Sequence, residues 1–173
     1  MNTIYRKPKI SDGPSIYELI KNSPPLDLNS SYCYLMLCAN FSETCIIAEQ
    51  NSNIAGFISA YILPAAQDVL FVWQVVVDQK SRSQGLASGM LAALMERPNL
   101  KQISHIETSV TPGNRASDLF FRSFARNMQA ECTTSLLFDA SLLGSEGHEQ
   151  EILYKIGPFK RSKPEKGDSH ENI

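Results

Sequence analysis

VLFVWQVVVDQKSRSQGLASGMLAALME, residues Val69 to Glu96, changes its hydrophobic rhythm twice. Up to Val77 it is an apolar run rich in β-branched and aromatic side chains, interrupted only at Gln74, which suits a buried strand. Asp78 to Gln84 carries only polar or charged residues. From Gly85 the spacing turns helical, with Leu86, Met90 and Leu94 four apart and Ala87 and Leu91 beside them, until Pro98 stops it. A strand entering a helix through such a loop turns the helix's first N–H groups outward, and those donors suit an anion such as a phosphate. An ordinary strand-to-helix connection fits the same letters equally well.

Outward from this stretch, the periodicity predicts a full order of elements. Thr3 to Lys7 reads as a first strand. Asp12 reads as an N-cap, with Pro14 in the first turn and Ile16, Leu19 and Ile20 on one apolar face, and Ser23-Pro24-Pro25 ends that helix. A second helix begins near Ser30, with Tyr32, Leu35, Met36 and Ala39 as its predicted apolar stripe. Cys45 to Glu49 and Ile54 to Ile62 read as strands joined by a hairpin turn at Asn51-Ser52-Asn53. Together with the strand ending at Val77 they predict a meander. Ile103 to Val110 is a further strand, reached across the Gly85 to Glu96 helix, which implies a parallel pair with a right-handed crossover. A helix over roughly Ala116 to Met128 and strands at Cys132 to Phe138 and Glu151 to Ile156 complete the order βααβββαβαββ. The fold class is therefore α/β, with a mixed central β-sheet flanked by helices. Residues 1–157 form the expected domain. The Lys-, Pro-, Gly- and Ser-rich stretch 158–173 is the expected disordered tail.

Composition narrows the function classes. A chain of 173 residues with a formal net charge of -2 is long enough to bury a core and carries no polyelectrolyte signal, so nucleic acid is not an expected partner. No apolar run reaches membrane-spanning length, and MNTIYRKPKI lacks a signal-peptide core, so no membrane is expected and the expected location is cytoplasmic. Cys33, Cys38, Cys45 and Cys132 show no CxxC or Cys/His ligand spacing, which predicts reduced packing residues and no metal. Exposed apolar edges where such a sheet splays make a homodimer the expected assembly.

With this order in place, Arg82-Ser83-Gln84-Gly85-Leu86-Ala87 resembles the Q/R-x-x-G-x-G/A signature of the GCN5-related N-acetyltransferase (GNAT) superfamily, at the turn from the fourth strand to the third helix. Arg82, Gly85 and Ala87 match it. The resemblance implies acetyl-CoA as the acetyl donor. It also implies that backbone groups of Val75 and Val77 hold the pantetheine arm, and that Arg82 and Gln84, Gly85, Leu86, Ala87 and Ser88 form the phosphate cradle. Gly85 makes physical sense there, because without a Cβ it lets phosphate approach the backbone. The same resemblance puts Asn114 on the cofactor, although a plain N-cap fits that residue as well. Many members carry a tyrosine on the following helix that protonates the CoA thiolate; Phe121 stands at that position and has no proton to give.

Five further blocks resemble the L-2,4-diaminobutyrate acetyltransferase family of ectoine biosynthesis: SPPLDLNSSYCYLMLC (Ser23 to Cys38), LFVWQVVVD (Leu70 to Asp78), ETSVTPGNRAS (Glu107 to Ser117), LFFRSFAR (Leu119 to Arg126) and GHEQEILYKI (Gly147 to Ile156). This implies acetyl transfer to the γ-amine of diaminobutyrate by direct attack in a ternary complex. Another small amine, such as ornithine or a polyamine, and a non-catalytic acyl-CoA sensor are the alternatives. An alkylammonium titrates near 10 like lysine, so the acceptor must lose a proton before attack. The resemblance makes Asp27 a substrate-facing carboxylate, where the bland reading is a residue approaching a helix. Tyr32 and Tyr34 are expected to orient it or to close the pocket, with packing an equal competitor for Tyr32. Trp73, the only tryptophan, is expected on a strand face with Val75 and Val77, its indole against the acceptor ammonium. His105 and Glu107 share a face of the fifth strand. Glu107 needs a partner or a task there, either as relay for the ammonium proton or in a structural hydrogen bond. His148, Glu149 and Glu151 are expected to cap the acceptor pocket, with His148 among the groups close to the chemistry; a solvated loop is the competing reading.

Overall fold

The computed structural model describes residues 2–144 and 149–159. The elements run β1 (Thr3–Arg6), α1 (Gly13–Lys21), α2 (Ser31–Asn40), β2 (Ile46–Gln50), β3 (Asn53–Leu63), β4 (Ala66–Val77), α3 (Leu86–Met95), β5 (His105–Val110), α4 (Arg115–Asn127), β6 (Cys132–Phe138) and β7 (Glu151–Ile156), with short 3-10 turns between some of them. The expected order holds throughout. The strands form one sheet in the order β1-β2-β3-β4-β5-β7-β6. β1 to β4 are antiparallel neighbours, joined between β2 and β3 by Asn51 and Ser52, both at positive φ as a tight hairpin turn requires. β4 and β5 are parallel, as a strand-helix-strand unit demands.

β2 and β3 are buried on both faces, which explains their continuous apolar sequences. On one face Leu70, Val72, Met90, Leu94, Ile106 and Phe124 join a core beneath α3 and α4. On the other, Ile16, Ile20, Tyr34, Ile47, Phe57 and Val76 form a second core beneath α1 and α2. Fully buried side chains such as Ile47 and Phe57 each contribute about 1.5–3 kcal/mol by leaving water. β5 alternates in burial because only its α3/α4 face is covered. Glu107 and Ser109 stand on the barer face.

Three expectations need correction. Asp12 is the residue before α1 but does not cap it; its carboxylate accepts from the Lys9 N–H and from Arg6 (2.7 Å each), and Arg6 also reaches Glu49 at 2.6 Å. The stripe of α2 has another phase: Tyr34, Leu37 and Cys38 are buried, whereas Tyr32, Met36 and Ala39 are exposed. The packed chain also passes the expected boundary at residue 157. Phe159 is buried, its ring lies edge-on to Phe124 at 5.9 Å, and its N–H donates to the Ser104 carbonyl. The remainder of the expected tail lies outside the described residues.

The feature that positions the site is where the sheet opens. β4 and β5 are in register only from Val69↔His105 to Val72↔Thr108. Beyond Val72 the two strands part, and β4 continues to Val77 with one edge uncovered.

Candidate active site

In an antiparallel ladder, alternate residues turn their N–H and C=O toward the partner strand. Asp78 donates to the Ala55 carbonyl (2.8 Å), and Gln74 donates to the Ser59 hydroxyl (3.1 Å). Even-numbered residues of this part of β4 therefore face β3. Val75 and Val77 turn their backbone groups to the opposite edge, which β5 has left. The Arg82 Nε, 3.4 Å from the Val77 carbonyl, sits on that edge. A cleft of about 390 Å³ runs along it, walled by Val75, Val77, Arg82, Ser83 and the first turn of α3.

That first turn is built to receive an anion. Gly85 precedes α3 at φ 73°, in the left-handed region, and no side chain caps the helix. The first intrahelical bond runs from the Gly89 N–H to the Gly85 carbonyl (2.9 Å), which leaves the N–H groups of Leu86, Ala87 and Ser88 without intrahelical acceptors. All three residues line the cleft. The loop is braced from below by the buried Gln50, whose amide nitrogen donates to Gln84 Oε1 (3.3 Å) and whose oxygen accepts from the Ser81 hydroxyl (3.2 Å). A Cβ at Gly85 would meet nothing within 4 Å, so the backbone conformation, not crowding within the chain, calls for glycine there.

A second cavity, about 270 Å³, opens on the other side of the parting strands. Its wall on β4 is a β-bulge. Ser59 pairs with Gln74 but Ala60 pairs with Val72, so Trp73 is the extra residue. The bulge breaks the alternation: Leu70 and Val72 lie in the α3/α4 core before it, and Val75 and Val77 pack against that core after it. The expectation that Trp73 simply shares a face with Val75 and Val77 is corrected accordingly. Trp73 and Gln74, adjacent in sequence, both line the cavity. Gln74 is buried and its Nε2 donates to the Asp27 carbonyl (2.8 Å), tying the Pro25–Asn29 loop to the sheet; its Oε1 has no protein partner. Asp27 and Glu151 bring two carboxylates to this cavity, and no lysine or arginine among the described residues lines it. The lining is anionic and suits a cationic guest.

The two clefts share a wall made of Pro25, Leu26, Val75, Asn114 and Ser117. Residues 13–125 match the acetyltransferase (GNAT) family. Among curated proteins, the L-2,4-diaminobutyric acid acetyltransferase of Marinococcus halophilus is 44% identical over 158 residues, 91% of each chain. The chain belongs to the acetyltransferase (GNAT) family. The enzyme of the same name from Halomonas elongata is also 44% identical, over 90% of this chain and 81% of that one. The solved structure of diaminobutyrate acetyltransferase EctA from Paenibacillus lautus, in complex with its substrate L-2,4-diaminobutyric acid and coenzyme A, superposes with a TM-score of 0.88 at 40% identity, covering 94% of this chain and 99% of that one. Ard1 from Thermoplasma volcanium, 15% identical at a TM-score of 0.74, shares the GNAT fold.

Within this GNAT domain the expected residues separate. Val75, Val77, Arg82, Gly85, Leu86, Ala87, Ser88 and Asn114 all line the first cleft. Gln84 turns its side chain to Gln50 and the Lys80 carbonyl instead. Phe121, expected at the cofactor, is buried and lines the second cavity, while its neighbour Phe120 lines the first. The N-cap reading of Asn114 holds, its Oδ1 capping α4 through the Ser117 N–H (3.1 Å), and the residue stands at the wall the two clefts share.

Asp27, Trp73 and Glu151 meet at the second cavity. Tyr34 does not line it. Fully buried, it accepts from the Asn29 N–H (3.1 Å) and so holds the Asp27 loop from beneath. Tyr32 is 69% exposed and lines neither cleft, because α2 buries the other side of its turn. Glu149 accepts from the Gly113 N–H (2.8 Å) and fastens the β5–α4 loop. Glu107 lies one wall away, in an adjoining hollow lined also by Trp73 and Ser109, and pairs with Lys155 at 3.4 Å. His105 is tied to Ser104 (2.7 Å) at the far end of β5. His148 lies outside the described residues. Gln74 and Ser117 fall inside blocks of the family resemblance, but nothing there singles them out, and Gln50 lies outside every block; only a foreseen bulge at Trp73 could have placed Gln74 beside Asp27.

Proposed function

We propose that this chain transfers the acetyl group of acetyl-CoA to the γ-amine of L-2,4-diaminobutyrate, giving Nγ-acetyl-L-2,4-diaminobutyrate, by direct attack in a ternary complex. The observation that carries the reading is the pair of clefts with one common wall: among the described residues, an unpaired amide cradle lies on one side and two carboxylates without a cation on the other. The likeness to proteins named for this reaction, over nine-tenths of the chain, supports the acceptor.

The chain's own groups divide the work. The Leu86, Ala87 and Ser88 amides and Arg82 take the pyrophosphate, and the edge of Val75 and Val77 that β5 has left takes the pantetheine amides in strand-like pairing. The thioester then reaches the shared wall. Asp27 and Glu151 hold the ammonium groups of the acceptor, with the Trp73 indole supplying cation–π attraction of about 0.5–2 kcal/mol. An ammonium proton leaves to these carboxylates or, through water, to Glu107. The freed amine attacks the carbonyl carbon, and the electron pair of the C–S bond leaves on sulfur. A cysteine intermediate finds no support: none of the four lines either cleft, and burial pushes the thiols up, that of Cys38 to about 11 and that of Cys45 to about 12.

A homodimer is supported by the exposed Leu136, Phe138 and Leu142 on and after the edge strand β6. A cytoplasmic location is supported by four free cysteines. The test of the activity is to mix protein, acetyl-CoA and diaminobutyrate and resolve products by mass spectrometry and NMR. The γ-acetyl isomer is expected. Acetylation of ornithine or a polyamine in its place would overturn the acceptor, and tight CoA binding without turnover of any amine would overturn the enzyme.

A further inference from the structure

The departing sulfur needs a partner. Phe121, at the helix position where a hydroxyl would serve, is an aromatic hydrocarbon buried in the wall of the acceptor cavity. The sulfur of a thioester threaded along the first cleft toward the second must pass Pro25, Leu26, Val75, Asn114 and Ser117, the residues common to both. Only the last two have polar side chains: Asn114 caps α4, its Oδ1 accepting from the Ser117 N–H (3.1 Å) and its Nδ2 left as an amide donor, and Ser117 carries the one hydroxyl on this wall. Ser117 Oγ makes no hydrogen bond among the described residues. It also stands in the first turn of α4, where the helix dipole favours negative charge.

We propose that Ser117 is the catalytic residue that stabilises the leaving thiolate, donating its Oγ–H to the CoA sulfur at the wall where the two clefts meet. The inference rests on the acetyl-transfer reading above. As the N–C bond forms and the C–S bond breaks, the pair of electrons moves to sulfur and the proton released from the amine goes to carboxylate or water. Ser117 keeps its own proton, because a thiol, with a pKa of about 8.5, is a far stronger acid than an aliphatic hydroxyl. The CoA thiolate leaves as an anion held by one charge-assisted hydrogen bond and takes its proton from water afterwards.

The test uses the full chain with Ser117→Ala and Ser117→Thr. CoA alone is bound to each protein and its thiolate followed by ultraviolet absorbance against pH, alongside steady-state kinetics. In S117A the bound thiol should titrate at higher pH than in the wild type. Its kcat should fall about 10- to 150-fold, the equivalent of one hydrogen bond to a charged group, with KM for acetyl-CoA unchanged. S117T, which keeps the hydroxyl, should follow the wild type in both. Wild-type kcat and thiol titration in S117A would overturn the inference. So would equal rate losses in S117A and S117T with no change in titration, since packing would then explain both. The CoA titration needs no acceptor, so a wild type that makes no γ-acetyl product would count against the acetyl-transfer reading and leave this measurement intact.

Discussion

Asp27→Asn isolates one carboxylate with little disturbance around it. The Asp27 side chain is exposed and makes no hydrogen bond or ion pair among the described residues; what the fold uses is its backbone carbonyl, which the Gln74 amide reaches at 2.8 Å and the variant retains. Stability should therefore move by no more than about 0.5 kcal/mol. The acceptor loses one of the two charges that face it in a cavity without a cation among the described residues. A unit charge pair at about 4 Å is worth roughly 1 kcal/mol in bulk water and roughly 4 at a protein surface with an effective dielectric constant near 20. A hydrogen bond to a charged group, about 1.5–3 kcal/mol, falls inside that range. We expect kcat/KM for diaminobutyrate to fall about 10- to 150-fold, while KM for acetyl-CoA stays fixed because Asp27 does not line the donor cleft. The wild-type KM for diaminobutyrate should also rise with ionic strength, and that slope should flatten in D27N. Initial rates with each substrate varied against saturating partner, repeated at low and high salt, give every quantity needed. An equal loss of acetyl-CoA affinity, or a clear fall in Tm, would refute the assignment and make Asp27 part of the scaffold.

Other perturbations separate the remaining parts. Trp73→Leu keeps apolar bulk but removes the π face, and because Trp73 is 39% exposed it should cost little stability; kcat/KM for diaminobutyrate should drop about 2- to 30-fold, matching 0.5–2 kcal/mol, in the same rate assay. Gly85→Ala places a Cβ at φ 73° with nothing within 4 Å, so its direct cost is conformational, about 1–2 kcal/mol and a Tm lowered by roughly 2–8 °C. Calorimetry reads that cost, and a rise in KM for acetyl-CoA alone reads the altered cradle. Arg6 holds the Asp12 carboxyl below the usual carboxylate range. A depressed folded value means that its stabilisation is complete above the unfolded value of about 3.9 and is lost as pH falls through the folded one. Melting curves from neutral pH downward should show wild type above Asp12→Asn at neutral pH, with the gap closing in acid; a gap independent of pH would contradict the ion-pair account.

The sequence announced the fold where its rhythm was unambiguous. β2 and β3 are apolar on both faces because both faces are covered, and the helix read as Gly85 to Glu96 is α3 with its two capping residues included. It was ambiguous where composition is uniform: SYCYLMLCAN has few polar residues to set a phase, and the stripe through Tyr32 and Met36 belongs in fact to the exposed side. Much of the first cleft was legible because Val75 to Ser88 is one contiguous stretch whose backbone groups take their direction from strand alternation; Pro25, Leu26 and Ser117 join its wall from elsewhere in the chain. The acceptor cavity was legible only in part. Asp27, Trp73 and Glu151 gather there through tertiary contacts spanning most of the chain, and the bulge that aims Trp73 arises from the register of β3 with β4, which no local pattern encodes. Phe159 was hidden for a similar reason, as a lone aromatic in a polar stretch whose partner, Phe124, lies on α4.

The most direct test of two clefts meeting at one wall is a crystal structure of the protein with CoA and diaminobutyrate bound together. The account predicts the pyrophosphate on the Leu86–Ser88 amides, the sulfur beside Ser117, and the γ-nitrogen between that sulfur and the carboxylates of Asp27 and Glu151. Diaminobutyrate bound instead in the hollow of Tyr61, Leu137 and Phe138, away from the sulfur, would contradict it.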